Sequence, residues 1–309
     1  MVDLSGGLLA QTGPSGLTYL TIGILQGAIY GLLAVGIVLV YKGVRVFNFA
    51  QGEFGTVAAF VTFALFHQIE LPYGVAMLGG LVSAVLLGLL MERLVIRPLF
   101  NAPRVTMLVA TVGFALFVIA VTVIVGKPEP RALSAIIGRG PDDLIVLLGV
   151  AITYQQILVL VVLAALAVVL ALFFSRTNLG LAVLAVSQDP LATQIMGISV
   201  TNLSRFIWAF AALLGGIAGI LQGGIPGFAI TPGFMTTTTL VPAFTAAVLG
   251  GMTSLPGAFI GGLLVGAAQN VGVFYLQEIG VPGASELTVF SLLLLVLLIR
   301  PRGLLGTEA

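Results

Sequence analysis

LTYLTIGILQGAIYGLLAVGIVLVY, residues 17–41, runs from Leu17 to Tyr41 without a charged side chain. About 20 predominantly apolar residues make a helix long enough to cross the hydrocarbon of a bilayer, so this stretch predicts a membrane span. The same reading applies at about 54–69, 73–91, 105–125, 206–225 and 287–299, and at 144–174, which is long enough to include an interfacial turn. Between the last two spans lies a broken apolar stretch, 240–274, interrupted by Gly250, Gly251, Pro256 and Gly257. It predicts two short or half-length helices forming a hairpin. The expected fold is an all-α polytopic membrane protein: one transmembrane domain over residues 1–309, with about seven full spans plus the broken hairpin.

Composition agrees. Charged residues make up 7% of the 309 and hydrophobic ones 59%, against roughly 25% charged in a soluble domain. This excludes a water-soluble globule and a disordered chain. A net charge of +1 excludes electrostatic nucleic-acid binding, which needs basic patches. The absence of cysteine removes disulfides, thiolate metal sites, iron–sulfur clusters and cysteine nucleophiles together. Residues 1–16 carry Asp3 but no Lys or Arg, so they lack the basic start of a cleavable signal.

Basic residues orient the spans, because they concentrate on the cytoplasmic side. With the N-terminus outside, Lys42, Arg45, Arg93, Arg97, Arg104, Arg176, Arg205, Arg300 and Arg302 fall inside, and only Lys127, Arg131 and Arg139 outside. The scheme holds only if 240–274 makes an even number of crossings. It puts the N-terminus in the periplasm and the C-terminus in the cytoplasm.

Gly23, Gly27 and Gly31 recur at every fourth position, as do Gly215, Gly219 and Gly223, and Gly262 and Gly266. That spacing is about one helical turn, so each set makes a shallow groove for close helix packing; the sharper reading is a sliding or rocking surface. The hairpin centre, LGGMTSLPG at 249–257, contains Gly250, Gly251, Thr253 and Ser254. Non-helical backbone at membrane depth must be buried or line a wet cavity, so these residues are candidate pathway or gate elements. The alternative is a loop at the inner surface between two short spans. The polar run Thr236 to Thr239 reads as an outer-surface helix start, or else as the lining of the outer mouth.

Two cytoplasmic segments carry further information. The loop 175–205 contains SQDPLATQIMG. Asp189 is a strong helix N-cap, Pro190 suits the first helical position, and Gly197 suits the left-handed residue that ends a helix. Leu191, Ile195 and Met196 form an apolar patch between them. The result is a two-turn helix shaped to dock into a groove on another protein, or to lie on lipid. The segment YKGVRVFNFAQGEFG, 41–55, places Asn48, Gln51 and Glu53 just before or inside the second span. An acid there marks a functional position, unless Glu53 sits at the interface paired with Arg45 or a neighbouring arginine.

Catalytic chemistry has little to build on. His67 is the single histidine and reads as an ordinary polar residue near the outer interface beside Glu70. No His-based metal cluster or Ser–His–Asp triad can form, and no cofactor or metal is implied. No G-x-x-x-x-G-K-[ST] motif occurs, so any ATP-driven function needs an ATPase supplied by a partner.

Four stretches together resemble the permease subunits of bacterial branched-chain amino acid ABC importers, of the shorter type. They are GAIYGLLAVGIVLVYKGVRVFNFAQGEFG (27–55), RTNLGLAVLAVSQDPLATQIMGISV (176–200), AFTAAVLGGMTSLPGAFIGGLLVG (243–266) and IRPRGLLG (299–306). The resemblance implies an inner-membrane subunit assembled with a second homologous permease, two cytoplasmic ABC ATPases and a periplasmic substrate-binding protein. It implies that the 176–200 segment holds the coupling helix contacted by the ATPase. Relatives also import urea and short-chain amides. This chain has Gln51 where relatives commonly have His, Leu181 and Leu184 where they are often basic, and Pro242 where they often have Lys. A secondary carrier or channel without ATPases remains the rival reading.

Overall fold

The computed structural model describes residues 16–127, 129–138, 143–147, 150–300 and 302–306; the signal reading of residues 1–16 falls almost wholly outside this range. The elements follow the apolar runs. Helix α1 spans Gly16–Val44, α2 Gln51–Phe63, α3 Tyr73–Met91 and α4 Arg104–Gly126. Strands β1 (Leu144–Leu147) and β2 (Val150–Thr153) pair antiparallel, with Leu144 opposite Thr153. Helices α5 (Tyr154–Arg176), α6 (Asn178–Gln188), α7 (Pro190–Ile195), α8 (Val200–Gly223), α9 (Phe234–Thr238), α10 (Leu240–Gly250), α11 (Leu255–Glu278) and α12 (Ala284–Ile299) follow. Among the described residues six helical stretches are long and apolar enough to cross a membrane, and α10 and α12 are shorter apolar helices. The helix α2 continues as one π-helical segment, Ala64–Gln68.

Helix α1 is the centre. Every residue from Gly27 to Val40 is buried, which fits a helix that is apolar all round. It packs antiparallel on α11 through glycine pairs. A Cβ on Gly27 would lie 2.5 Å from the Gly262 carbonyl oxygen, and one on Gly266 would lie 2.3 Å from that of Gly23. In lipid, apolar surface gains little by meeting other apolar surface, so such close backbone packing holds helices together. Helix α3 shows the opposite pattern at the same spacing. Ala76, Gly80, Ala84 and Gly88 are buried, whereas Leu78, Val82, Leu86 and Leu90 are exposed. The small residues meet α2 and α8; the large ones suit a face toward lipid.

Paired residues give the helix directions. Gly31 meets Phe259 and Gly23 meets Gly266; Gly88 meets Trp208 and Ala84 meets Gly216; Gly250 meets Gly257 and Ala246 meets Gly261. Thus α1 and α11, α3 and α8, and α10 and α11 are antiparallel. The alternation gathers Lys42, Arg176, Arg205 and Arg300 at one end, called here the basic end, with α6 and α7. One ion pair spans two helices there, Arg205 Nε to Glu92 Oε2 at 3.9 Å.

Two sequence-based boundaries are corrected. The fifth span begins at Tyr154, because 144–153 forms the β-hairpin and Thr153 caps α5 through a reciprocal Thr153–Gln156 box. In the 240–274 hairpin only α10 is short; α11 has 24 residues and is long enough to span.

Candidate functional site

The chain leaves α1 at the basic end and does not start its next helix there. Arg45 takes a left-handed backbone conformation, φ 57°, and residues 46–50 run non-helically back into the bundle. Helix α2 begins beside the middle of α8. Gln51 Nε2 donates to the Ala211 carbonyl at 2.8 Å, and Ala211 lies about 16 Å along α8 from Val200 at the helical rise of ~1.5 Å per residue. Broken backbone at this depth must be enclosed and its polar groups satisfied. Both conditions hold. Asn48, Gln51 and Glu53 are each 2% exposed or less. The Ala50 N–H donates to Asn48 Oδ1 at 3.0 Å, and Asn48 Nδ2 donates to Gln51 Oε1 at 3.0 Å. The Phe49 N–H donates to Thr111 Oγ1 at 3.2 Å, and the Thr111 hydroxyl lies within reach of the Phe47 and Leu108 carbonyls on the other side.

A second interruption meets the first. Helices α9 and α10 are separated at Thr239. The Thr236 hydroxyl donates to Glu53 Oε1 at 2.6 Å, and the Met235 N–H to Thr56 Oγ1 at 3.4 Å. The Thr239 hydroxyl donates to Gln222 Oε1 at 2.8 Å. Glu53 Oε2 and Gln222 Nε2 have no hydrogen-bond partner among the described residues. The outer-surface reading of 236–239 is corrected for the two ends of the run: Thr236 reaches Glu53 and Thr239 is fully buried, whereas Thr237 and Thr238 are exposed and bond back to the carbonyls of Gly233 and Phe234 within their own helix. An interfacial Glu53–Arg45 pair is corrected likewise, since Glu53 faces a threonine in the core.

The other sequence-predicted residues lie elsewhere. Gly250, Gly251, Thr253 and Ser254 form the α10–α11 turn at the basic end. Ser254 caps α11, accepting the Gly257 N–H at 3.1 Å. The C-terminal tail closes over this turn: Leu304 N–H donates to the Leu249 carbonyl at 2.7 Å and Leu305 N–H to that of Gly250 at 3.0 Å. A cavity of about 810 Å³ beside the turn is lined by Lys42, Phe174, Leu184, Thr253, Ser254 and Phe259 among others. These residues do not join the Asn48–Gln51–Glu53 cluster.

The α7 stub stands apart from both. Asp189 Oδ1 accepts the Ala192 N–H at 3.0 Å. Gly197 ends the turn at φ 83°, and Ile198 N–H donates back to the Thr193 carbonyl at 3.2 Å. This is the N-cap and left-handed stop expected from the sequence. Ile195 and Met196 are 79% and 80% exposed. Pro190 and Leu191 belong to α7; their side chains lie outside the described residues.

Sequence reasoning missed Thr236, Thr239 and Gln222 as partners of the central cluster. The available signal was four hydroxyls and one amide set within otherwise apolar runs. Among the described residues no group of three or more His, Asp and Glu side chains is placed to hold a metal.

Two interrupted helices meeting at a buried polar centre, within a bundle of apolar helices, define a polytopic membrane protein of transport type. The chain belongs to the family described as "Branched-chain amino acid transport system / permease component", which it matches over residues 19–299. It is 32% identical over 296 residues to the high-affinity branched-chain amino acid transport system permease protein BraD of Pseudomonas aeruginosa, covering 92% of this chain and 94% of that one. It is 30% identical over 300 residues to LivH of Escherichia coli K12, a permease protein of the same description, covering 92% and 93%. Among solved structures it aligns with PsaBC from Streptococcus pneumoniae in complex with Fab, at TM-score 0.48 and 16% identity over 92% of both chains.

Proposed function

We propose that this chain is the transmembrane permease subunit of an ATP-binding cassette importer that carries branched-chain or related amino acids across the cell inner membrane. The observation that carries the reading is the α7 stub. It is capped at Asp189, stopped at Gly197, and presents Ile195 and Met196 to solvent at the end of the bundle where the basic residues gather. On this reading the basic end is cytoplasmic, and Asp189, Pro190, Leu191, Ile195, Met196 and Gly197 form the coupling helix. One of two ATPase subunits grips it, a second permease completes the pathway, and a periplasmic binding protein delivers the solute. Segment 175–205 is the coupling loop of a single permease domain.

ATP-driven closure of the ATPase pair then moves α7 and rocks the helices it is packed on. Asn48, Gln51 and Glu53 sit where two interrupted helices meet, the kind of element that such rocking rearranges. Gly250, Gly251, Thr253 and Ser254 form the turn that would report that motion at the cytoplasmic face. The permease does no chemistry of its own.

The test is reconstitution. The chain with its ATPases, second permease and binding protein should accumulate leucine in proteoliposomes only when ATP is supplied, and ATPases should remain attached in mild detergent. Uphill uptake by the purified chain alone would make it a secondary carrier. Uptake of urea or short-chain amides in place of leucine would reassign the substrate.

A further inference from the structure

Away from the central cluster, α1, α11 and α12 frame a polar cavity of about 190 Å³, lined by Gln26, Tyr30, Gln269, Asn270 and Ser285, with Val273 among its apolar wall. It lies toward the end opposite the basic one. Gln26 stands about 15 Å into α1 and Gln269 about 13 Å short of the last residue of α11, taking ~1.5 Å per residue. Uncharged polar side chains gathered at membrane depth mark a wet cavity or a partner.

The decisive group is Gln269. It is 8% exposed, and its Nε2 donates to Ser285 Oγ at 2.6 Å. Its Oε1, also buried, has no hydrogen-bond partner among the described residues. One terminal atom of this buried amide meets Ser285 and the other is left unpaired, which is costly, so the site suits an arriving polar group. Tyr30 shares the lining, and Asn270 Nδ2 donates to the Gly266 carbonyl at 3.2 Å. Among the described residues no charged side chain lines the cavity. Its volume is below the roughly 300–1,000 Å³ of pockets for drug-sized ligands, which suits a single small solute.

We propose that this cavity is a transit subsite for the zwitterionic head of an amino acid, with Gln269 Oε1 accepting from the ammonium group and neighbouring amide and hydroxyl donors meeting the carboxylate. Neutral partners satisfy both charges without the strong ion pair that would slow release. The proposal rests on the importer reading above and adds to it the residues that touch the solute.

The chain's lack of cysteine makes a direct test available. Asn270→Cys introduces the one thiol of this subunit, and the mass of the subunit reports its reaction with a charged methanethiosulfonate in the assembled, reconstituted transporter. Leucine with its binding protein is expected to slow labelling at least threefold. Labelling of Tyr275→Cys, at a position 61% exposed near the end of α11, should not change. In parallel, Gln269→Leu should raise the half-saturating leucine concentration for uptake about tenfold, and Gln269→Asn less. Equal labelling with and without leucine overturns the proposal, as does no labelling because lipid or the second permease covers the cavity. Loss of subunit assembly in Gln269→Leu assigns the residue to an interface and also overturns it. If the wild-type assembly transports leucine but Asn270→Cys is unprotected, this proposal fails alone; if the wild type transports none, the importer reading fails first.

Discussion

The Thr236 hydroxyl donates to Glu53 Oε1 at 2.6 Å, joining residues 183 positions apart. It ties the start of α2 to the short helix before α10, and it is the one hydrogen bond Glu53's side chain makes among the described residues. Removing the donor leaves both carboxylate oxygens unpaired in the core. Thr236→Val should therefore destabilise the protein by about 1–3 kcal/mol, the cost of stranding a buried polar group. In a Glu53→Leu background the same change should cost much less. Thermal unfolding in detergent of the two single variants and the double variant measures the difference; equal losses in both backgrounds would show that the contact contributes nothing.

Glycine pairs between α1 and α11 should tolerate no added methyl. A Cβ on Gly262 would lie 2.3 Å from the Gly31 backbone. Gly262→Ala should cost about 1–3 kcal/mol through overpacking. Gly113 in α4 has nothing within 4 Å of such a Cβ, so Gly113→Ala should be neutral or stabilising by up to about 1 kcal/mol. Melting temperatures of the two variants check the contrast.

The coupling stub can be weakened without touching the bundle. Asp189→Ala removes an N-cap worth about 1 kcal/mol. Gly197→Ala places a side chain at φ 83° in open space, so its penalty is purely conformational, about 1–2 kcal/mol. Both should reduce ATPase capture and ATP-dependent uptake while membrane insertion stays normal. Pull-down beside vesicle uptake reads this out, and normal capture in both variants would remove α7 from the coupling role.

Glu92 is fully buried and its neighbouring cation, Arg205, is 43% exposed at the side chain. Arg205→Ala should destabilise the α3–α8 contact more than Arg205→Lys does. Glu92→Gln should relieve most of that loss, because the buried charge is then gone. The ordering of the three melting temperatures is the measurement.

The sequence exposed the helices more readily than their partners. Helix α3 was legible to the residue because Pro72 precedes its first turn and an uninterrupted apolar run fills it. The start of the fifth span was read ten residues early, at 144 in place of Tyr154. LIVL and VAIT are as apolar as a helix, and apolar runs without periodicity do not separate strand from helix. The Thr153–Gln156 capping box was the available signal for the true start. At the α7 stub, cap and stop are local chemistry, so Asp189 and Gly197 could be read in isolation. Asn48, Gln51 and Glu53 stood out as polar residues in an apolar setting. What they bond to did not, because Ala211 and Thr236 are distant in sequence, and tertiary packing alone brings them together.

The tail that closes over the α10–α11 turn has a mechanical effect. Main-chain bonds from Leu304 and Leu305 to Leu249 and Gly250 lash the far end of α12 to the bend between its two predecessors, and the glycine seam fastens α11 to α1. These four helices are thereby stiffened into one plate. Helix α1 also lies along α8, with Gly36 against Ala211 and Gly43 against Ile207, so the plate is anchored to the α2–α3–α8 group through its central member and a push on either side is carried to the other.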